Sequence, residues 1–213
     1  FYETRPIVYG EEAYGFAKTG QTICNVTDSK IIKLFVDDEP FWLPDAHLLN
    51  YDRRLNMKSG TLDREILWET PAGKQVSIRS RRLVSFVNRH VAAISYCVTL
   101  LNAQAFVVIS SEVATNELSA RSNEDDPRLA RAFSGRILHP RTSYSKDRRI
   151  VLCHATEKSR LTLTCASDNA LESSCPHSYR VAHTADFGQV AFTIEARAGC
   201  PIQLTKYMVY HAS

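Results

Sequence analysis

The stretch from Leu55 to Val113 constrains the fold more than any other part of the chain. Thr61–Glu69 and Lys74–Phe86 flank Thr70-Pro71-Ala72-Gly73, and Val91–Leu101 and Ala105–Val113 flank Asn102-Ala103-Gln104. This reads as four consecutive strands with tight connections. Side chains alternate between the two faces of a strand. Ala92, Ile94, Tyr96, Val98 and Leu100 are therefore predicted to enter a core together. The opposite set, Ala93, Ser95, Cys97 and Thr99, is small and nearly neutral, which predicts at least partial cover on that face too. In Thr61–Glu69, Leu62, Ile66 and Trp68 oppose Asp63, Glu65 and Glu69. That is the half-buried, half-solvated pattern of an antiparallel sheet. Proline pre-sets φ at the second position of the first turn, and glycine tolerates the fourth.

The same period recurs along the chain. Ile31–Val36, Ile150–His154, the residues around Leu161–Cys165, Val190–Ala196 and Ile202–Val209 all read as strands. About ten strands with few short helices predict an all-β fold, a large antiparallel sandwich rather than a barrel of βαβ units. The length of 213 residues fits one large all-β domain, and 44% hydrophobic residues suffice for a packed core. No apolar run is long enough to span a membrane as a helix. The chain opens at Phe1 rather than methionine and runs out of a strand at Ser213. Both ends read as cut, as in a domain taken from a longer protein.

Residues Ala114–Arg149 interrupt the rhythm. Asn123–Arg128 is turn-like and acidic, and Pro127 is placed to start a short helix through Leu129, Ala130 and Ala132. The stretch reads as a surface excursion, or as a loop that docks on another domain or lines a shared sugar site. The net charge of +3 is too small to call for nucleic acid. Arg79, Arg81 and Arg82 form the densest basic cluster, with Arg79 and Arg81 on one face of the strand and Arg82 on the other, and it reads as a solvated strand face rather than a phosphate or anion site. The six cysteines form no CxxC pair and no zinc spacing. Several lie in apparent strands, where free cysteine behaves as a small apolar residue. Reduced thiols and a cytoplasmic home follow as expectations. Glycine-rich phosphate loops and a G-x-S-x-G elbow are absent from the sequence, so no catalytic, cofactor-binding or metal residue is assigned.

Other chemistry-bearing residues have two readings each. Trp68, on the apolar face of its strand, is expected in the core. Trp42, in Glu39-Pro40-Phe41-Trp42-Leu43-Pro44, is the candidate sugar or domain contact; the plainer reading is a cover for the sandwich edge. A mutarotase-like site needs a histidine acid and a glutamate base around one sugar ring. His90, His154 or His183 with Glu112 or Glu195 are the available sets, and their spacing selects none. The carboxylate runs Asp37-Asp38-Glu39 and Glu124-Asp125-Asp126 read as solvated turns.

The wording of the chain also resembles a known family. Phe1-Tyr2-Glu3 with Pro6-Ile7-Val8-Tyr9, and above all Leu55-Asn56-Met57-Lys58-Ser59-Gly60-Thr61-Leu62-Asp63-Arg64, are similar to the N-terminal domain of family 65 glycoside hydrolases, the maltose, trehalose and kojibiose phosphorylases. The decapeptide resembles the pattern L-D-M-x-x-G-x-L-x-R, with Asn56 where aspartate is usual. Ser77–Ser85 resembles the following strand of the family.

The resemblance implies a β-supersandwich of galactose mutarotase-like architecture, ahead of an (α/α)6 catalytic barrel that 213 residues cannot contain. It implies a non-catalytic role for this domain. In the full-length enzyme a glutamic acid of the barrel protonates the departing oxygen of an α-linked glucosyl disaccharide, and phosphate or water attacks with inversion. The implied partners are the barrel, the disaccharide, inorganic phosphate as co-substrate and a homodimer mate; nucleic acid, membrane and organic cofactors are not implied. A free-standing carbohydrate-binding module and an aldose 1-epimerase are the alternatives.

Overall fold

The computed structural model describes residues 1–7, 11, 13–115 and 136–213. Among them are fifteen strands and no helix. In chain order they are β1 (Tyr2–Pro6), β2 (Thr19–Ile23), β3 (Asp28–Val36), β4 (Glu39–Pro40) and β5 (His47–Asn56). Then come β6 (Thr61–Glu69), β7 (Gln75–Val84), β8 (Val91–Leu100), β9 (Ala105–Ala114) and β10 (Leu138–Lys146). The last five are β11 (Arg149–Thr156), β12 (Thr162–Ser173), β13 (His177–His183), β14 (Phe187–Ala196) and β15 (Ile202–Ala212). The helix expected over residues 127–132 falls outside the described residues.

An eight-stranded sheet runs β10-β11-β12-β15-β8-β7-β6-β5, and a five-stranded sheet runs β13-β14-β9-β3-β4. Every pairing in both is antiparallel. The predicted all-β sandwich is therefore the fold. One hydrophobic core joins the sheets: Trp68, Ile78, Val98 and Leu204 come from the larger, Leu34, Ile109 and Phe192 from the smaller. Ile94, Tyr96, Val98 and Leu100 point inward as their alternation predicts, while Ser95, Cys97 and Thr99 are half-buried on the outer face.

Two expectations need correction. The four strands of residues 61–113 are not one ladder. β6, β7 and β8 are consecutive neighbours, but β9 crosses to the other sheet, where β14 and β3 flank it. As a central strand it buries Ser110, Ser111 and Glu112 along with its apolar residues. The stretch Ala114–Arg149 is also not irregular throughout. Its last third is strand β10, paired with β11 across a register shift between Pro140 and Thr142.

Buried polar groups tie the layers together. Lys206, fully buried on β15, donates from Nζ to the carbonyls of Ile31 (3.1 Å) and Glu112 (2.7 Å) in the facing sheet. The Tyr210 hydroxyl donates to the Thr27 carbonyl (2.8 Å) and lies 2.6 Å from Ser29 Oγ. The separate β1–β2 hairpin is held by buried Glu3, whose carboxylate accepts the backbone N–H groups of Glu157, Lys158 and Ser159 at 2.8–3.0 Å.

Candidate functional site

The two ends of the β5–β8 half of the large sheet differ in what covers them. At the Trp68 end, the segment after β4 folds over the sheet. Phe41 packs on Trp68 with ring centroids 5.1 Å apart. Trp42 points away and is 64% exposed. With Pro40, Asp45, His47, Trp68 and Glu69 it lines a cleft of about 400 Å³. An exposed indole beside carboxylates and an imidazole can stack on an apolar sugar face and accept hydroxyl protons. Trp68 is core, as predicted, and forms part of the cleft.

At the other end the facing sheet stops short. β4 is two residues long, and nothing among the described residues closes over the inner faces of Leu55 and Val84, which are 63% and 64% exposed. Leu62, Phe86, Ala92 and Met208 extend this into an apolar groove of about 450 Å³. Beyond it, Phe86 and Val87 in the β7–β8 connection are 91% and 93% exposed. This connection is fastened to the last strand, since Tyr210 N–H donates to the His90 carbonyl at 2.9 Å.

The outer face of the same strands is a charged trough of about 790 Å³. Its charges alternate in sign. Arg54 meets Asp52 at 2.7 Å, Arg81 meets Asp63 at 2.5 Å, and Arg79 stands opposite Glu65. The Arg81 hydrogen bond holds the Asp63 carboxyl below its usual range. The predicted solvated strand face thus describes Arg79 and Arg81. Arg82 is different: it is half-buried on the inner face, where burial and then the neighbouring Arg64 and Arg53 push its pKa down.

The histidine and glutamate candidates do not converge. His90 Nδ1 sits 2.8 Å from the Tyr210 carbonyl, and its ring packs 5.1 Å from His211. His154 is fully buried between the sheets, with Nε2 at 2.9 Å from Asp186. His183 is exposed at the end of β13. Glu112 is buried on the opposite face of the five-stranded sheet from the core, held by Lys33 at 2.8 Å and Ser110 Oγ at 2.8 Å. Glu195 is exposed. A histidine acid facing a glutamate base across one sugar ring is therefore not built from these five residues. Asp37, in the β3–β4 turn at φ 51°, is bound by Lys74 and accepts the Phe106 N–H, which makes it a structural anchor. All six cysteines are free thiols.

Comparison with known proteins identifies the family. The chain matches the family described as "Glycosyl hydrolase family 65, N-terminal domain" over residues 1–213. It belongs to that family. It is 35% identical over 213 residues to the alpha,alpha-trehalose phosphorylase of Thermoanaerobacter brockii, covering 100% of this chain and 27% of that protein. It is 32% identical over 87 residues to the kojibiose phosphorylase of Halothermothrix orenii, covering 41% of this chain and 11% of the relative. The solved structure "Putative kojibiose phosphorylase from human microbiome" superposes with a TM-score of 0.81 at 17% identity, over 100% of this chain and 26% of that one. The family 65 N-terminal domain therefore spans about a quarter of the length of the trehalose phosphorylase and of the solved structure it matches. Among the described residues, no helix is long and apolar enough to cross a membrane.

Sequence reasoning set Arg82 on the face opposite Arg79 and Arg81 but missed that Arg53 and Arg64 share its inner face. A signal was available: with period two, Arg64 shares a face with Leu62, Ile66 and Trp68, which places a charge on a core-facing stripe.

Proposed function

We propose that this family 65 N-terminal domain is a non-catalytic module of a longer cytoplasmic enzyme that splits an α-linked glucosyl disaccharide with inversion. In that enzyme the C1–O bond breaks, a carboxylic acid outside residues 1–213 protonates the departing oxygen, and inorganic phosphate or water bonds to C1 from the opposite side. The domain packs through the open end of the sandwich against the catalytic part. The observation that carries this reading is the full-length match to a trehalose phosphorylase of which the chain covers only 27%. The exposed Leu55, Val84, Phe86 and Val87 support it, because contiguous apolar surface on one rim marks an interaction site.

The test is phosphate-dependent release of glucose phosphate from trehalose, kojibiose or maltose. The longer polypeptide is expected to release it and residues 1–213 alone are not. Release by residues 1–213 alone overturns the non-catalytic reading. A second role, sugar binding by the domain itself, is favoured by the exposed Trp42 in its cleft with Asp45, His47 and Glu69.

A further inference from the structure

Arg53, Arg64 and Arg82 share the inner face of the large sheet at its open end. Arg53 and Arg64 are direct cross-strand partners, which puts their Cβ atoms on the order of 5 Å apart. Arg64 pairs with Ser80 and Arg82 with Leu62, so Arg82 lies on the diagonal from Arg64, roughly 7 Å away. None of the three has an ion pair among the described residues. Asp28 offsets part of the charge at Arg82, yet its carboxylate is engaged by Lys30 at 2.6 Å. On the other face of the same strands, each arginine has an acid beside it or opposite it. The contrast within one set of strands argues against generic surface charge. Like charges placed directly opposite each other destabilise a sheet, and this face keeps them together with apolar Leu55, Leu62 and Val84.

We propose that this arginine cradle receives an acidic segment of the longer polypeptide, one that presents at least two carboxylates between apolar side chains. The inference rests on the docking reading and names the chemistry of the contact. Arginine's planar fork matches a carboxylate in bidentate fashion, and two or three such forks in a row fix the register of a strand or loop laid over them. A free anion such as phosphate satisfies the charges but leaves Leu55 and Val84 in water. A segment carrying both kinds of side chain covers both, and the relatives supply a polypeptide long enough to provide it.

The experiment compares Arg53→Gln and Arg64→Gln, singly and together, in residues 1–213 and in the longer polypeptide, with Arg79→Gln on the outer face as control. Thermal melting and hydrogen exchange of the β5–β7 amides are the readouts. In residues 1–213 the substitutions relieve repulsion and are expected to raise Tm by about 2–4 °C. In the longer polypeptide they are expected to lower Tm and speed exchange at β5–β7 at least about tenfold, as loss of an interfacial charge pair does. The control is expected to show no such change of sign. Arg64→Lys is expected to fall between wild type and Arg64→Gln in the longer polypeptide.

Three results overturn the cradle while leaving docking intact: Tm shifts of the same sign in both contexts, stabilisation of residues 1–213 by inorganic phosphate that Arg64→Gln abolishes, or an arginine-dependent dimer of residues 1–213. If the longer polypeptide protects neither β5–β7 nor Phe86–Val87 beyond the level in residues 1–213, the docking reading falls and the cradle with it.

Discussion

Lys206 shows what a single buried ionisable residue does to this fold. A neutral amine has two N–H donors, and the carbonyls of Ile31 and Glu112 use both. Burial pushes the Lys206 pKa down to about 7, against the smaller opposing influences of Cys165, Asp28 and Glu112. An unfolded lysine keeps its proton to about pH 10.4. Between about pH 7 and that limit the unfolded chain binds the extra proton, so stability rises with pH; below pH 7 both states are protonated and the slope vanishes. Urea unfolding at a series of pH values is expected to show this rise in wild type and its absence in Lys206→Met. The variant also removes both Lys206 hydrogen bonds, at a cost of about 0.5–1.5 kcal/mol each. Gly188 poses a different constraint. It is buried on β14, and a Cβ there meets the branched methyl of Ile150, itself buried in the core. Gly188→Ala is expected to cost about 1–3 kcal/mol by overpacking, measured by the same urea titration, and in an Ile150→Ala background, which removes that methyl, the added cost should shrink.

At the scale of elements, the β1–β2 hairpin is a separate unit fastened at one point. Burial pulls the Glu3 carboxyl up, but the backbone N–H groups of Lys158, Thr4 and Ser159 outweigh it, and the net pKa is lowered. A carboxylate held below its unfolded pKa contributes stability above that value and loses it as pH falls through the folded pKa. Protection factors of the β2 amides, with exchange corrected for its intrinsic pH dependence, are expected to fall below about pH 4.3, and Glu3→Gln should show the lowered protection already at neutral pH. The elements also differ in how legible they are. β6, β7, β8, β9, β14 and β15 all announce themselves by alternation, since each is flanked by neighbours on both sides and buries one face. The strands that sequence reading missed are β5, β10, β13 and β4, the edges of the two sheets, together with the β1–β2 hairpin. Edges carry charge, proline and bulges that discourage pairing with other chains. β10 reads Leu-His-Pro-Arg-Thr-Ser-Tyr-Ser-Lys and bulges after Pro140. β5 carries Asp52, Arg53 and Arg54 and shifts register between Leu48 and Asn50. Their polarity removes the periodic signal, because neither face has to enter the core. The crossing of β9 to the second sheet was illegible for another reason: a four-residue connection from Leu101 to Gln104 serves a hairpin and a crossover equally well.

At the scale of the molecule, the sandwich presents two separable surfaces at opposite ends of β6. Asn56–Gly60 and the β7–β8 connection crown one end, with Phe86 and Val87 exposed; Trp42 and its cleft occupy the other. The exposure of Trp42 was legible because an aromatic between two prolines has no strand to bury it. The groove at the other end was not, because it exists only where β4 ends and the facing sheet stops. Residues as exposed as Phe86 and Val87 contribute little to the fold of the domain, so Phe86→Ser with Val87→Ser should leave the unfolding free energy of residues 1–213, from urea titration, within about 0.5 kcal/mol of wild type. The same change should raise the solubility of residues 1–213, because it removes apolar surface. If Phe86 and Val87 dock on the catalytic part, the pair should instead lower Tm in the longer polypeptide. Trp42→Ala separates the ends. If the indole is a sugar platform, oligosaccharide binding to residues 1–213 falls while the Tm of the longer polypeptide holds. If Trp42→Ala lowers that Tm as much as the Phe86–Val87 pair does, both ends contact the rest of the enzyme, and the sugar reading of the cleft is lost.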